Sequence, residues 1–266
     1  MNWTIETEGL QLYCESTGSG IPLLLIPGFA SGMWTWEWQI DELSTSFQVI
    51  TFDPRGVSRS KAPPGVQMSI ELIADDAARV LDSIGIDAAH ILGVSFGGFV
   101  AQEFAMMFPK RTRKLVLAST SFGGANHVSP SMKVLGAFAA TNGLNSPERI
   151  RQYLTIAFSP DYVDRHADVV ERFCQLREEN VVPEDVYLGQ LQSAIAFDAE
   201  SRLGTLVVPA LVITGDEDTV VPTANAHNLA DAIPNAQLAL IAGSGHMAFV
   251  EKAGEFNQIV TKFLEA

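Results

Sequence analysis

The residues best suited to chemistry in this sequence are a serine flanked by glycines and a histidine in a glycine-rich loop. Ser95 stands at the centre of Gly93-Val-Ser-Phe-Gly97, where an apolar run gives way to a helix-like pattern. A strand that enters a helix through Gly-x-Ser-x-Gly must turn sharply at the serine, which exposes the hydroxyl. The pattern therefore predicts a nucleophile at Ser95. The alternative is a glycine-rich turn with an incidental serine, because five residues of this kind also match by chance.

A serine hydroxyl needs a neighbouring base before it can attack at neutral pH, and histidine commonly supplies one. The chain contains 5 histidines. His246 follows the last strand pattern in "LIAGSGHMAFVE", a loop that could fold over the carboxyl edge of a parallel sheet. The other histidines fall within strand, helix or helical-insertion patterns, at His90, His127, His166 and His227. We expect His246 to be the base, and the alternative is a loop histidine with an ordinary surface hydrogen bond.

The base requires a carboxylate that orients its ring, and this should leave another strand at the same edge. The segment "LVITGDEDTVVP" supplies Asp216, Glu217 and Asp218 directly after a strand pattern, and residue type does not distinguish them. Another position for such an acid follows "KLVLAST", but residues 119–121 there carry only hydroxyl groups. The later loop is therefore favoured.

Backbone N–H groups that could hold a developing oxyanion lie at two predicted turns. Phe96 begins the helix pattern after Ser95, so its N–H points to where the oxyanion forms and the helix dipole adds partial positive charge. Gly28 permits close backbone approach after "IPLLLIPG", and Phe29 can present its N–H toward the serine. Loss of one such donor typically costs about 3 kcal/mol of transition-state stabilisation, so both turns are required.

The elements that must position these groups alternate along the chain. Apolar runs rich in β-branched residues predict buried parallel strands at 47–53, 88–95, 114–120, 210–216 and 236–243. Helical patterns occupy 69–85, 96–108, 223–233 and 255–266. "WTIETEGLQLYCES" predicts a hairpin around Gly9 that leads into "IPLLLIPG". The expected class is α/β, a mostly parallel sheet with an antiparallel start and helices on both faces.

One long stretch interrupts this alternation. Between about Phe122 and Arg202, helical patterns such as "SPERIRQYLTIAF" follow one another without a convincing strand. We interpret 122–202 as a helical cap inserted into a core formed by 1–121 and 203–266. The alternative is a helical excursion with no role at a site.

Composition restricts the classes of function. The 266 residues suffice for one large domain, and a formal charge of -14 with a pI near 4.7 opposes binding to nucleic acid or anionic membranes. Cys14 and Cys174 stand in no metal-binding or redox spacing, which favours a cytoplasmic location. The first residues lack the basic start and apolar run of a signal peptide. We expect a small-molecule substrate, no nucleic acid or membrane partner, and allow a homodimer through the last helix or the cap.

Several segments together resemble the α/β-hydrolase superfamily over essentially the whole chain. "LLIPGFASGMWTW" is similar to its oxyanion loop, "FDPRGVSRS" to its Asp-x-Arg-Gly-x-Gly-x-Ser segment and "GVSFGG" to its nucleophile elbow. "GDEDTVVP" is similar to its Gly-x-x-Asp-x-x-x-Pro segment and "GSGH" to its histidine loop. The order serine, acid, histidine is also that of the family.

The resemblance implies a role for each matching residue. Ser95 corresponds to the nucleophile, His246 to the base and Asp218, by its register from Gly215, to the orienting acid. The backbone N–H groups of Phe29 and Phe96 correspond to the oxyanion donors, and neither a metal nor an organic cofactor is implied.

Within the superfamily, the chain is most similar to 3-oxoadipate enol-lactonases, cofactor-free haloperoxidase-like perhydrolases and small carboxylesterases. Two positions depart from the common pattern: Pro27 replaces a frequent histidine, and Ser58 replaces a glycine. Neither change removes a catalytic group, but both weaken the transfer of any one member's substrate.

The implied chemistry is hydrolysis of a small to medium, mostly apolar ester or lactone through an acyl-enzyme. Expected substrate-binding residues are Gly28, Met33, Trp34, Phe122, Phe138 and Met247, with Phe158 or Phe173 where they face inward. The same triad could hydrolyse a C–C bond in a vinylogous diketone or support perhydrolysis. In a different class, the chain would be a ligand receptor or regulatory protein that keeps a slow triad.

Overall fold

A single sheet of 8 strands organises the chain. Its structure, a computed structural model, describes residues 1–63, 65, 67–140 and 142–266. The strands are β1 (Asn2–Thr7), β2 (Leu10–Thr17), β3 (Ile21–Ile26), β4 (Phe47–Phe52), β5 (Ala89–Val94), β6 (Thr112–Ala118), β7 (Ala210–Gly215) and β8 (Ala236–Ile241). They lie in the order β1-β2-β4-β3-β5-β6-β7-β8, with antiparallel pairs β1–β2 and β2–β4 and parallel pairs elsewhere. The predicted mostly parallel sheet with an antiparallel start is confirmed.

The antiparallel start depends on the turn between β1 and β2. Glu8 and Gly9 both have positive φ, 46° and 83°. Two consecutive residues of positive φ give the hairpin turn whose twist matches that of the flanking strands. Glycine adopts this conformation without steric cost, which explains why the hairpin forms at Gly9.

Helices cover both faces of the sheet. They are α1 (Ile40–Leu43), α2 (Ile70–Asp82), α3 (Phe96–Met107), α4 (Met132–Ala139), α5 (Pro147–Thr155), α6 (Pro160–Arg165), α7 (Ala167–Glu179), α8 (Glu184–Ala196), α9 (Ala224–Ala232), α10 (Ala248–Glu251) and α11 (Ala253–Glu265). Helices α2, α3 and α9 pack on one face, and α1, α10 and α11 on the other. None of the helices within the described ranges has the length and apolar character to cross a bilayer.

Strand β3 shows why helices pack on both faces of the sheet. Leu24 and Ile26 point into the core beneath α2 and α3, whereas Leu23 and Leu25 point into the opposite core. All four side chains are buried because successive residues of a strand alternate between faces. A continuous apolar run, rather than an alternating one, is therefore the pattern of a central strand.

The predicted element boundaries differ from the observed ones by a few residues. The "KLVLAST" strand ends at Ala118, since Ser119 has a φ of 46° that leaves the extended region. Helix α11 begins at Ala253, two residues before its predicted start. The one-turn helices α1 and α10 were not predicted, because four residues are too few to establish a helical period.

The segment predicted as a cap leaves the sheet after β6 and returns before β7. It contains α4 to α8, and one of its residues, Thr141, lies outside the described residues. Its two ends are joined, because Ala199 N donates to Phe122 O at 2.9 Å and Gly124 N donates to Phe197 O at 2.9 Å. The division of the chain into core and cap stays a prediction.

His90 on β5 is the basis of a prediction about folding stability. Its side chain is buried, and neither ring nitrogen has a hydrogen-bond partner among the described residues. Burial, and then the positive charges of Lys114 and Arg113, lower the pKa of His90 from 6.5 to about 4. Between these values the unfolded chain binds a proton at this position and the folded protein does not.

We therefore expect the free energy of unfolding to decrease by about 1 to 2 kcal/mol from near pH 7 to near pH 5 on account of His90. Urea titrations at both values should show a shallower decrease in His90→Gln than in the wild type. His227→Gln is the matched control, because His227 is exposed. An equal decrease in the wild type and His90→Gln would contradict the assignment.

Candidate active site

Ser95 lies at the sharp turn between β5 and α3. Its backbone has φ 54° and ψ -117°, a conformation that costs a residue with a side chain roughly 1 to 3 kcal/mol. Three hydrogen bonds of 2.8 Å hold the turn: Ser95 N donates to Ala118 O, and Ser95 O accepts from Thr120 Oγ1 and Gly98 N. The turn places the serine at the carboxyl end of β5.

Two glycines permit this turn. A Cβ at Gly93 would lie less than 3.0 Å from Gly97 O, and a Cβ at Gly97 less than 3.0 Å from the carbonyl oxygens of Ile26 and Pro27. These neighbours are backbone atoms, so no flexible side chain can move aside. The turn at Ser95 and the end of β3 therefore contact each other directly.

His246 and Asp218 are hydrogen-bonded at the same edge of the sheet. The distance from His246 Nδ1 to Asp218 Oδ2 is 2.8 Å, and both side chains are buried. Asp218 Oδ1 accepts from the backbone N–H groups of Val220 and Val221 at 2.9 and 2.8 Å, and Thr214 Oγ1 donates to Oδ2 at 3.3 Å. Since a carboxylate only accepts, Nδ1 carries the ring proton and Nε2 is the accepting nitrogen.

The three acids that follow β7 occupy different surroundings. Asp216 Oδ1 accepts from Gly243 N at 2.8 Å and so braces the two loops against each other. Glu217 lines a cleft that residues of α4, α5 and α6 also line, which we call the surface cleft. Of the three, Asp218 is the one in contact with His246.

Glu251 on α10 fixes the histidine loop. Its Oε1 accepts from Gly245 N at 2.9 Å, and Oε2 accepts from Ser159 Oγ at 2.7 Å and Ser159 N at 3.2 Å. Burial raises the pKa of Glu251, and these donors oppose the shift. Met247 N also donates to Ala157 O at 3.1 Å, which ties the loop to the residues before α6. Sequence reasoning missed Glu251, since no pattern indicates that its side chain turns back to this loop.

The two residues predicted to supply oxyanion donors, Phe29 and Phe96, lie in segments next to Ser95. Phe29 lies in the turn after β3, where Ser31 N donates to Gly28 O at 3.3 Å and Ser31 Oγ donates to Phe29 O at 3.1 Å. Phe96 is the first residue of α3. Among the described residues, neither N–H has an acceptor. Their role as oxyanion donors stays a prediction.

Ser95 and His246 line the same small cavity, whose volume is about 60 Å³. Three of the expected substrate-binding residues, Gly28, Phe138 and Met247, line it as well. Within the described part of the chain, the Ser95 hydroxyl makes no hydrogen bond to His246. Such contacts often tighten only when substrate is bound. We call this space the inner cavity.

A second cavity, of about 320 Å³, meets the inner cavity at Ser95. This outer cavity is bounded by apolar side chains that include Phe96, Phe99 and Leu191. Phe29 and Phe138 line both cavities, with ring centroids 5.9 Å apart in an edge-to-face arrangement. These two rings and Ser95 are therefore shared by a small cavity and a larger one.

The lining of both cavities is without permanent charge. Among the described residues, no lysine, arginine, aspartate or glutamate lines either one. Arg55 makes two hydrogen bonds of 2.6 Å to the buried Asp76, and Arg151 pairs with Glu171 at 2.8 Å beside the surface cleft. The guanidinium groups of Arg55 and Arg151 are thus paired with carboxylates, and neither residue lines the two cavities.

Three expected substrate-binding residues, Met33, Trp34 and Phe122, are not among the described residues that line the cavities. Met33 N donates to Asp53 Oδ1 at 2.9 Å in a 3-10 turn, and Trp34 packs against Phe173 with ring centroids 5.1 Å apart. Phe122 is buried in the core beneath α2 and α3. Trp34 thus packs behind Phe173, which itself lines the inner cavity.

Other cavity residues were left open or missed by sequence reasoning. Phe173 lines the inner cavity, whereas Phe158 lines the surface cleft. Tyr153 and Phe249 line the inner cavity without having been predicted. Tyr153 falls in the predicted helical segment "SPERIRQYLTIAF", and the direction of its side chain depends on how α5 packs.

The chain matches the family model for the alpha/beta hydrolase fold over residues 21–253. It is 30% identical over 256 residues to a poly(3-hydroxyalkanoate) depolymerase of Ectopseudomonas oleovorans, covering 92% of this chain and 84% of that protein. It is 30% identical over 272 residues to a 2-hydroxymuconate semialdehyde hydrolase of Pseudomonas sp. (strain CF600), covering 96% and 91%. A thermophilic esterase from Thermogutta terrifontis is 27% identical, with a TM-score of 0.86 over 100% of this chain and 98% of that one.

The contact at Gly97 leads to a stability prediction. Gly97→Ala should lower the free energy of unfolding by about 1 to 3 kcal/mol, because the added methyl group would overlap two backbone carbonyl oxygens. Gly136→Ala on α4 is the control, since a Cβ there meets nothing within 4 Å. Equal stability of Gly97→Ala and the wild type in urea titrations would show that the approach is not as close as described.

Proposed function

Because the chain belongs to the α/β-hydrolase family, we propose that it is a serine hydrolase that cleaves a small to medium, uncharged ester or lactone through an acyl-enzyme. In this proposal Ser95 is the nucleophile, His246 the base and Asp218 the orienting acid. The observation that carries it is the 2.8 Å contact between His246 Nδ1 and Asp218 Oδ2, beside a cavity that His246 shares with Ser95.

The acylation step begins with proton transfer from the Ser95 hydroxyl to His246 Nε2 as Oγ bonds to the carbonyl carbon of the substrate. The carbonyl oxygen takes the negative charge and accepts hydrogen bonds from the N–H groups of Phe29 and Phe96. Asp218 stabilises the imidazolium. His246 then gives the proton to the leaving oxygen as the C–O bond breaks, and the acyl group remains on the serine.

Deacylation repeats these roles with water as the nucleophile. His246 removes a proton from the water as its oxygen bonds to the acyl carbon, and returns the proton to Ser95 Oγ as that bond breaks. The carboxylic acid is released. Both steps use only groups of this chain and water, so the proposal requires no metal or organic cofactor.

The different volumes of the two cavities favour a substrate whose acyl and alcohol parts differ in size. The inner cavity, at about 60 Å³, offers the volume of roughly two water molecules, whereas the outer cavity of about 320 Å³ has room for a ring or a chain. The apolar walls favour apolar groups on both sides. The lack of permanent charge among the described lining residues favours an uncharged substrate, because no cation offsets the desolvation of a carboxylate.

A second candidate reaction is cleavage of a C–C bond in a vinylogous diketone by the same residues. The identity of 30% to a protein named 2-hydroxymuconate semialdehyde hydrolase favours it. Product analysis separates the two reactions, because ester or lactone hydrolysis releases an alcohol function and C–C hydrolysis releases a carbon leaving group.

The proposal predicts that the protein hydrolyses p-nitrophenyl esters or simple lactones and that a phosphonate labels Ser95. Ser95→Ala should lower kcat by at least about three orders of magnitude, because the nucleophile is lost. Ser129→Ala is the control, since that hydroxyl lines only the outer cavity. Mass spectrometry identifies the labelled residue.

Two other outcomes of the labelling and turnover measurements would argue against the proposal. Labelling of Ser95 without turnover of any ester or lactone would favour a receptor with a slow triad. Folded protein that is neither labelled nor active would contradict the mechanism at its first step.

The difference in volume between the two cavities predicts that one half of the substrate must be small. In esters whose acyl and alcohol halves vary independently, we expect one half to be limited to two or three heavy atoms and the other to accept a ring. Phe138→Ala should raise kcat/KM for the larger group in the restricted half by about tenfold or more, because Phe138 lines both cavities and loss of its ring enlarges the smaller one. Phe99→Ala, which alters only the outer cavity, is the control. Equal tolerance of both halves in the wild type would contradict the two-cavity description.

A further inference from the structure

Helix α8 contacts the turn after β3 through two residues on one face. Tyr187 and Gln190 are three positions apart in the helix, so they lie on the same side. The Tyr187 ring packs edge-to-face on Phe29, with ring centroids 4.6 Å apart. Gln190 Oε1 accepts a hydrogen bond from Ala30 N at 2.8 Å. The helix therefore contacts both the ring and the backbone of this turn.

The backbone of the turn is unusual at Ala30. Its φ of 51° lies in the left-handed region that residues with a Cβ rarely adopt. The peptide unit between Phe29 and Ala30 is held at both ends, because its carbonyl accepts from Ser31 Oγ at 3.1 Å and its N–H donates to Gln190. A change in ψ of Phe29 or φ of Ala30 that the other does not compensate would turn the residues on one side of this unit relative to those on the other, and would thereby shift the Phe29 N–H.

The hydrogen bond between Ala30 N and Gln190 Oε1 is buried, so water does not readily replace either partner. The side chain is 1% exposed, and Ala30 is 0% exposed. A buried N–H requires an acceptor, and Gln190 Oε1 is the acceptor that the described residues provide. This acceptor comes from a position 160 residues away along the chain, so it is present only when α8 is docked on the turn.

We infer that Gln190 is a positioning residue for the oxyanion hole, acting through Ala30 on the N–H of Phe29. The inference rests on the proposed serine-hydrolase function. It makes the docked position of α8 part of the catalytic geometry, in addition to the walls that the helices of this segment, α8 included, give to the cavities.

The test compares Gln190→Leu, Gln190→Glu and Gln192→Leu on an ester that the wild type hydrolyses. Leucine removes the acceptor at similar volume, glutamate keeps an oxygen acceptor, and Gln192 is exposed on the same helix. We expect kcat of Gln190→Leu to fall about 10- to 100-fold with KM within about twofold, since a displaced donor weakens the transition state more than substrate binding. Gln190→Glu should keep most of the wild-type kcat, and Gln192→Leu all of it.

Inhibition by butylboronic acid gives a second readout. Its adduct with Ser95 is tetrahedral and places an oxygen where the oxyanion forms, so it reports directly on that site. The inhibition constant should rise in Gln190→Leu by about the factor by which kcat/KM falls. A purely structural role would lower the midpoint of thermal unfolding without changing kcat or the inhibition constant of the folded protein.

Gln190→Met is a second variant without the amide acceptor, for use where Gln190→Leu does not fold. Wild-type kcat and boronic acid inhibition in either folded variant would overturn the inference. Failure of both variants to fold would also overturn it, in favour of a role in folding alone. Absence of turnover and of Ser95 labelling in the wild type would instead overturn the proposed function.

Discussion

The close approach of three backbone segments at Gly97 is the constraint on which the site depends. The carbonyl oxygens of Ile26 and Pro27 occupy the space that a side chain at Gly97 would need. The strand that carries the serine turn and the strand that leads to Phe29 therefore meet without side chains between them. This contact brings the strained turn at Ser95 next to the turn that carries Phe29, and such an approach requires a residue without a side chain.

The remaining groups reach this point because parallel strands end at one edge of the sheet. Asp218 follows β7 and His246 follows β8, at the same edge of the sheet as the end of β5, and β6 lies between β5 and β7. Each loop is then fixed by a buried carboxylate with several donors, Asp218 in the first and Glu251 in the second. A buried carboxylate without partners would be unfavourable, so these hydrogen bonds hold the loops in one arrangement.

The helices between β6 and β7 contribute in two physically different ways. Phe138 and Tyr153 provide apolar walls, which limit the size and charge of a bound molecule. Tyr187 and Gln190 instead contact the turn that carries Phe29. The same segment therefore borders the cavities and contacts the turn that carries Phe29.

The sequence by itself determined the local structure: the order of strands and helices, the hairpin at Gly9 and the sharp turn at the serine. These features follow from the period of apolar residues and the backbone freedom of glycine, which act over a few neighbours. Residue type left three acids after β7 equivalent, and family resemblance pointed to Asp218. Only the tertiary structure decided that this carboxylate lies against His246 and which aromatic side chains line the cavities. It also decided that Gln190 contacts the turn after β3 and that Glu251 contacts the histidine loop. Those contacts join residues far apart in the chain, and their geometry depends on packing rather than on local pattern.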